Sequence, residues 1–183
     1  MSDAIDRYVL ASAGFERRLR WVRDWTLPTP CTEWNVRQLV NHVVRGNLNY
    51  VALLDGGTAE DFRRLRDADA LGDDPLGAFD RSVHAFVTAF RGPGASERIL
   101  DYPLGKIRGE QALAVRTTDT VVHTWDLARA IGADDRLDAG LVAWIDENLE
   151  AIYADLDGLE RFFAKPERTG SSAQDRLLRR MGR

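Results

Sequence analysis

In "DTVVHTWDLARAIG", residues 119–132, an aspartate, a histidine and a second aspartate recur at helical spacing. At about 100° per residue, Asp119, His123 and Asp126 fall within a sector of roughly 60°. Ala112, Val115, Val122 and Ala130 flank that sector, so the polar trio lies on the face a helix should bury. Burial is costly unless hydrogen bonds, ion pairing or a metal compensates it. A pair at i and i+4 projects two side chains about 6 Å apart from one helical face, a spacing suited to chelation. A third ligand then has to come from another helix. Two imidazoles and one carboxylate, with coordination positions left open, make a catalytic rather than a structural zinc centre, and the same donors hold non-haem iron. Without a metal, a buried Asp–His hydrogen bond accounts for Asp119 and His123. Asp126 reads as a group orienting a ligand or as a ligand itself.

The chain has three histidines. His42, in "WNVRQLVNHVVRGNLNYVALL", flanks an apolar face made by Leu39, Val43, Gly46, Tyr50 and Leu53, where a satisfied core histidine is the plain alternative to a ligand. His84 follows Asp80 by four residues and forms a second, competing pair.

The elements that must position these residues read as helices. Ile5, Val9, Leu10, Phe15, Leu19 and Val22 predict a first helix over 3–25, broken by Pro28 and Pro30 in "LPTPCTEW". A second starts at Asn35, whose side chain can cap it while Gln38 reaches back, and runs to about Leu54 before Gly56-Gly57. Residues 58–72 read as a short helix and a loop. Asp73 or Asp74 caps a third long helix through Phe90. "ERILDYPLG" is no more than a strand-like link. A fourth helix covers Gly109 to Ile131 with Gly132 as its C-terminal cap. A fifth covers Ala139 to Leu156, and a short last helix, "AQDRLLRRM", follows a Gly/Ser/Pro-rich connector.

With 183 residues, 44 % of them apolar and 30 % charged, the expectation is one domain, residues 1–183, that buries about 70 % of its unfolded surface. No run approaches the roughly 18 apolar residues of a membrane span, and "MSDAIDRYVLASAGFERRLRW" shows no export signal, which points to the cytoplasm. A single cysteine, Cys31, fits a reducing compartment and reads as a small side chain in a turn. The net charge of −4 has the wrong sign for nucleic-acid binding, and the basic tail "RLLRRMGR" reads as a solvated helix end. Neither a Gly-x-Ser-x-Gly elbow nor a phosphate loop occurs.

The segments "TPCTEWNVRQLVNHV" and "RTTDTVVHTWDLARAIGADDRLD" resemble the two signature segments of the mycothiol-dependent maleylpyruvate isomerase family, within the DinB-like superfamily. The tail "AQDRLLRRMGR" is similar to the end of a short, single-domain actinobacterial branch described as metal-binding. The resemblance implies an all-α fold, a DinB-like up-down-down-up four-helix bundle with additional short C-terminal helices. It also implies a divalent metal, zinc foremost and iron or nickel compatible, held by His42, Asp119 and His123. The enzyme that names the family has Glu in place of Asp119 and carries a second domain for which this chain is too short, so the resemblance carries the general chemistry and leaves the substrate open.

That chemistry is thiol activation. A thiol of pKa near 8.5 is mostly protonated at neutral pH, and metal coordination deprotonates it. The implied protein is a metal- and mycothiol-dependent S-transferase or isomerase acting on a small electrophile, with mycothiol as co-substrate and Cys31 a bystander. A non-catalytic metal-binding or sensing module is the alternative, and a purely structural polar network is a third. A homodimer is compatible with the superfamily. Arg37, Asn41, Arg45 and Arg116 read as surface-pairing residues first and carboxylate-gripping residues second, and Trp34 and Trp125 as packing residues before cofactor contacts.

Overall fold

The computed structural model describes residues 2–156 and 170–183; most of the predicted connector lies outside them. The elements in chain order are α1 (Ser2–Leu19), α2 (Val36–Leu54), α3 (Ala59–Leu65), α4 (Pro75–Phe90), β1 (Ile99–Tyr102), β2 (Gly105–Arg108), α5 (Gly109–Ile131), α6 (Ala139–Ile152) and α7 (Ala173–Arg180). Four long helices make the bundle. α1 runs along α5 and α2 along α4, and contacts of α2 with α5 and of α1 with α4 close the ring. Two apolar clusters fill it. One holds Tyr50, Phe86, Phe90, Val121 and Val122, the other Phe15, Leu39, Val43, Phe79 and Leu127. Both α2 and α5 pass through the two clusters.

Local chemistry starts and stops the helices much as expected. Asn35 accepts from the Gln38 amide while the Gln38 side chain accepts from the Asn35 amide, a complete capping box on α2. Asp74 caps α4, and Gly132, at φ 67°, ends α5 in the left-handed region that glycine tolerates.

Three features differ from the expectation. α1 ends at Leu19 rather than near Trp25, because residues 25–28 turn back to serve α2. The amides of Val36 and Arg37, which have no partner inside their own helix, donate to the carbonyls of Leu27 and Trp25. The link after Ser96 is a complete antiparallel hairpin, with Leu100 opposite Ile107 and both buried. Its second strand, "GKIR", is too short for its alternation to register. α6 stops at Ile152 instead of Leu156, where the Gln111 side chain of α5 donates to the carbonyls of Ile152 and Ala154.

α5 is the central element, with 16 of its 23 residues buried, so its polar residues are enclosed by other helices. Thr117, Thr118, Thr120 and Thr124 satisfy themselves by donating to the carbonyl one turn back, at 2.8–3.0 Å. Arg116, Asp119, His123 and Asp126 need partners elsewhere.

Candidate metal centre

His42 from α2 meets Asp119 and His123 from α5. Oδ1 of Asp119 lies 3.5 Å from Nε2 of His42 and 3.4 Å from Nε2 of His123. One donor atom from each of the three residues falls within 4.8 Å of the others. Bonds of about 2.0–2.1 Å at tetrahedral angles put neighbouring donors roughly 3.4 Å apart. The observed spacings are therefore long for hydrogen bonds and right for donors sharing one ion. Asp119 keeps 28 % of its side-chain exposure, which leaves the cluster an open side. Trp34 covers His42, its ring stacked at 4.5 Å between centroids, and the His42 and His123 rings meet edge-on at 4.9 Å.

Each carboxylate is matched by an arginine. Arg116, 2 % exposed, donates from Nη1 to Oδ2 of Asp119 at 2.7 Å, from Nε to Oδ1 of Asn47 at 2.9 Å and from Nη2 to the Val43 carbonyl at 3.1 Å. Asn47 in turn donates to Ser82 on α4. The guanidinium lies directly over Gly46: a Cβ there would stand 2.4 Å from Nη1 and 2.9 Å from Cζ. On the other side of His123, Nδ1 lies 2.8 Å from Oδ2 of the fully buried Asp126. Arg183 forks onto Asp126, Nε to Oδ1 at 2.7 Å and Nη2 to Oδ2 at 2.9 Å. Cys31 donates to the same Oδ2 at 3.4 Å and accepts from Arg183 at 2.8 Å. Cys31, His123 and Asp126 thus form a second group of closely spaced donors, in which the guanidinium of Arg183 already supplies the positive charge.

These contacts set the protonation balance of the metal-free cluster. Burial alone would push the Asp119 carboxyl up, but His123, Arg116 and His42 hold it well below the usual carboxylate range. Burial pushes His42 below its ordinary value. For His123 burial acts in the same direction, yet the Asp119 and Asp126 carboxylates outweigh it and raise the imidazole well above its ordinary value. Both carboxylates therefore favour the protonated form of His123 in the metal-free cluster, and a cation bound at Nε2 would compete with that proton.

The remaining predicted residues fall elsewhere. Asp80 and His84 lie exposed on α4 and belong to no group of three donors among the described residues. Arg37 pairs with Asp69 at the surface, while Asn41 and Arg45 tie down the loop at 68–70. Three expectations need correction. Arg116 is buried rather than on the surface. The basic tail is no solvated end, since Leu177, Leu178 and Met181 are buried and Arg180 pairs with Asp146 and Glu150 of α6. Cys31 is part of the cluster's edge. Asn47 and Arg183 carried no signal in the sequence, although Gly46, inside a helix where glycine costs about 1 kcal/mol, marked a close approach. A separate cleft of about 410 Å³, lined by Arg17, Arg18, Trp21 and Arg136 among others, contains none of the donors.

Comparison with known proteins bears on the family and the fold. The family model described as "Mycothiol maleylpyruvate isomerase N-terminal domain" matches residues 10–128. Two uncharacterized proteins, from two strains of Mycobacterium tuberculosis, are each 33 % identical over 127 residues, 69 % of this chain and 64 % of their own length. The chain therefore spans less than two thirds of the relatives it matches. Among solved structures, the crystal structure of the mycothiol-dependent maleylpyruvate isomerase superposes with a TM-score of 0.61 at 15 % identity, covering 78 % of this chain and 66 % of that one. At that identity the likeness shows a shared all-α fold. Among the described residues, no helix is long and apolar enough to cross a membrane.

Proposed function

The chain belongs to the mycothiol maleylpyruvate isomerase N-terminal domain family, and on that premise we propose that it holds a divalent metal, zinc foremost, through His42, Asp119 and His123. There it activates the thiol of mycothiol for addition to a small electrophile. The supporting observation is the placing of Asp119 Oδ1 at 3.4–3.5 Å from two imidazole Nε2 atoms at once. When bound, the ion supplies a Lewis-acidic position that favours the thiolate over the thiol at neutral pH.

The residues around it fit that task. Arg116 holds Oδ2 of Asp119, which also lies 3.4 Å from Nε2 of His42, while Oδ1 faces both histidines. Asp126 accepts from Nδ1 of His123 and so keeps the lone pair on Nε2. Because Arg116 and Arg183 offset the two carboxylates, a divalent ion gives the cluster a net positive charge. Such a site favours an anionic thiolate and a polarised, electron-poor substrate. Trp34 shields one side of His42 from water.

The test is metal content of untagged protein by plasma mass spectrometry, followed by mycothiol consumption against a panel of electrophiles including maleylpyruvate. About one ion per chain, lost in His123→Ala, together with turnover that depends on both metal and mycothiol, is the expected result. Bound metal without thiol turnover would turn the assignment to a binding or sensing module. No metal after reconstitution with zinc, iron or nickel would end it.

A further inference from the structure

We propose that Arg183 is a positioning residue of the donor cluster, fixing the ring of His123 through Asp126 so that the segment following α7 governs how Nε2 is presented. The inference rests on the reading of His42, Asp119 and His123 as metal ligands.

Asp126 is fully buried, and a buried carboxylate left without donors is costly. Arg183 meets both of its oxygens with two parallel N–H donors, and one of those oxygens also accepts from His123. The carboxylate is thereby held at both oxygens while Oδ2 meets Nδ1. A planar fork can do this and an ammonium cannot. Arg183 is itself held. Its amide donates to the Leu178 carbonyl at 2.7 Å, its Nη1 to the Met181 carbonyl at 3.3 Å, and its side chain is 10 % exposed. Behind it, α7 is fastened by the Ser172–Asp175 capping box, by buried Leu177 and Leu178, and by Arg180 on α6. The Arg183 side chain faces Asp126 and Cys31, so it acts on the cluster through Asp126 and His123. A residue 57 positions from Asp126 in the chain thus completes a relay from guanidinium to carboxylate to imidazole.

The test measures zinc affinity by competition with a chromophoric chelator for wild type, Arg183→Ala, Arg183→Lys, Asp126→Asn and the Asp126→Asn/Arg183→Ala double variant. Histidine side-chain ¹⁵N spectra of the metal-free proteins accompany it. Arg183→Ala should weaken zinc about 10- to 100-fold and shift the His123 Nδ1 resonance while that of His42 stays put. Arg183→Lys should recover only part of both. On the Asp126→Asn background, losing Arg183 should cost no more than about threefold, because the pair acts as one unit. Zinc affinity within about twofold of wild type with an unmoved Nδ1 resonance, or costs that add fully in the double variant, would overturn the proposal. Should Arg183→Ala fail to fold, Arg183→Lys decides alone by the same two readings. If wild type binds no zinc, the metal reading falls, and the ¹⁵N spectra still decide whether Arg183 sets the His123 ring.

Discussion

α4 and α5 each carry an aspartate followed four residues later by a histidine, and the two pairs meet opposite fates. On α4 the buried stripe runs through Phe79, Ser82, Phe86 and Phe90, and Asp80 and His84 fall beside it, in water. On α5 neighbours cover nearly the whole circumference, so Asp119 and His123 are enclosed and His42 stands opposite them. Spacing puts two ligands on one face. Whether that face becomes a site depends on what the rest of the helix must bury and on a third donor delivered by another element.

The sharpest way to break this contrast is to exchange the roles of the two pairs. His123→Ala should take metal stoichiometry from about one per chain to near zero, whereas Asp80→Ala and His84→Ala should leave it unchanged; equal losses from both helices would erase the distinction. Next in size is the buried support that α4's pair lacks. Gly46→Ala places a methyl against a guanidinium held by three bonds and should destabilise by about 1–3 kcal/mol and weaken metal binding. Gly14→Ala, whose added methyl makes only ordinary 3.9 Å contacts, should stabilise by up to about 1 kcal/mol. Thermal unfolding of the two variants checks the pair.

A smaller effect is read from metal-stripped protein. Because His123 is raised above its unfolded value, its contribution to stability is fully present below about pH 6.5 and is lost as pH rises through its folded value. Denaturant unfolding against His123→Gln should show the wild type's advantage shrinking above that point. An advantage that grew with pH would mean that Asp119 and Asp126 do not hold the proton there. The smallest expected effect is that of His84→Ala, within about ±0.5 kcal/mol.

What the sequence made legible was local. The Asn35–Gln38 capping box, the Asp74 cap and the Gly132 stop are decided by neighbours a few residues away, and the i, i+4 pair on α5 is a matter of helical geometry alone. The misread residues depend on distant ones. Arg116 resembles any helix-surface arginine until Gly46 and Asn47 of α2 are seen beneath it. Arg183 looks like a solvated tail until Asp126 is found at its tip. The hairpin was missed because each strand has only four residues, and its register rests on the pairing of Leu100 with Ile107. The shared family signatures supplied His42 as the third donor, which helical spacing could not choose.

Arg116 also bears on the order in which the chain folds and comes apart. A guanidinium can leave water only when its acceptors are waiting, and Arg116's belong to α5 itself and to two points on α2, while Asn47 leans on α4. Three helices must already be in register before the charge goes in. A latch of this kind that closes late predicts that loosening it at Gly46 should hasten unfolding while leaving the refolding rate nearly untouched, which stopped-flow refolding and unfolding of Gly46→Ala would check. On that prediction, what this one glycine protects is the lifetime of the closed bundle more than the speed of its assembly.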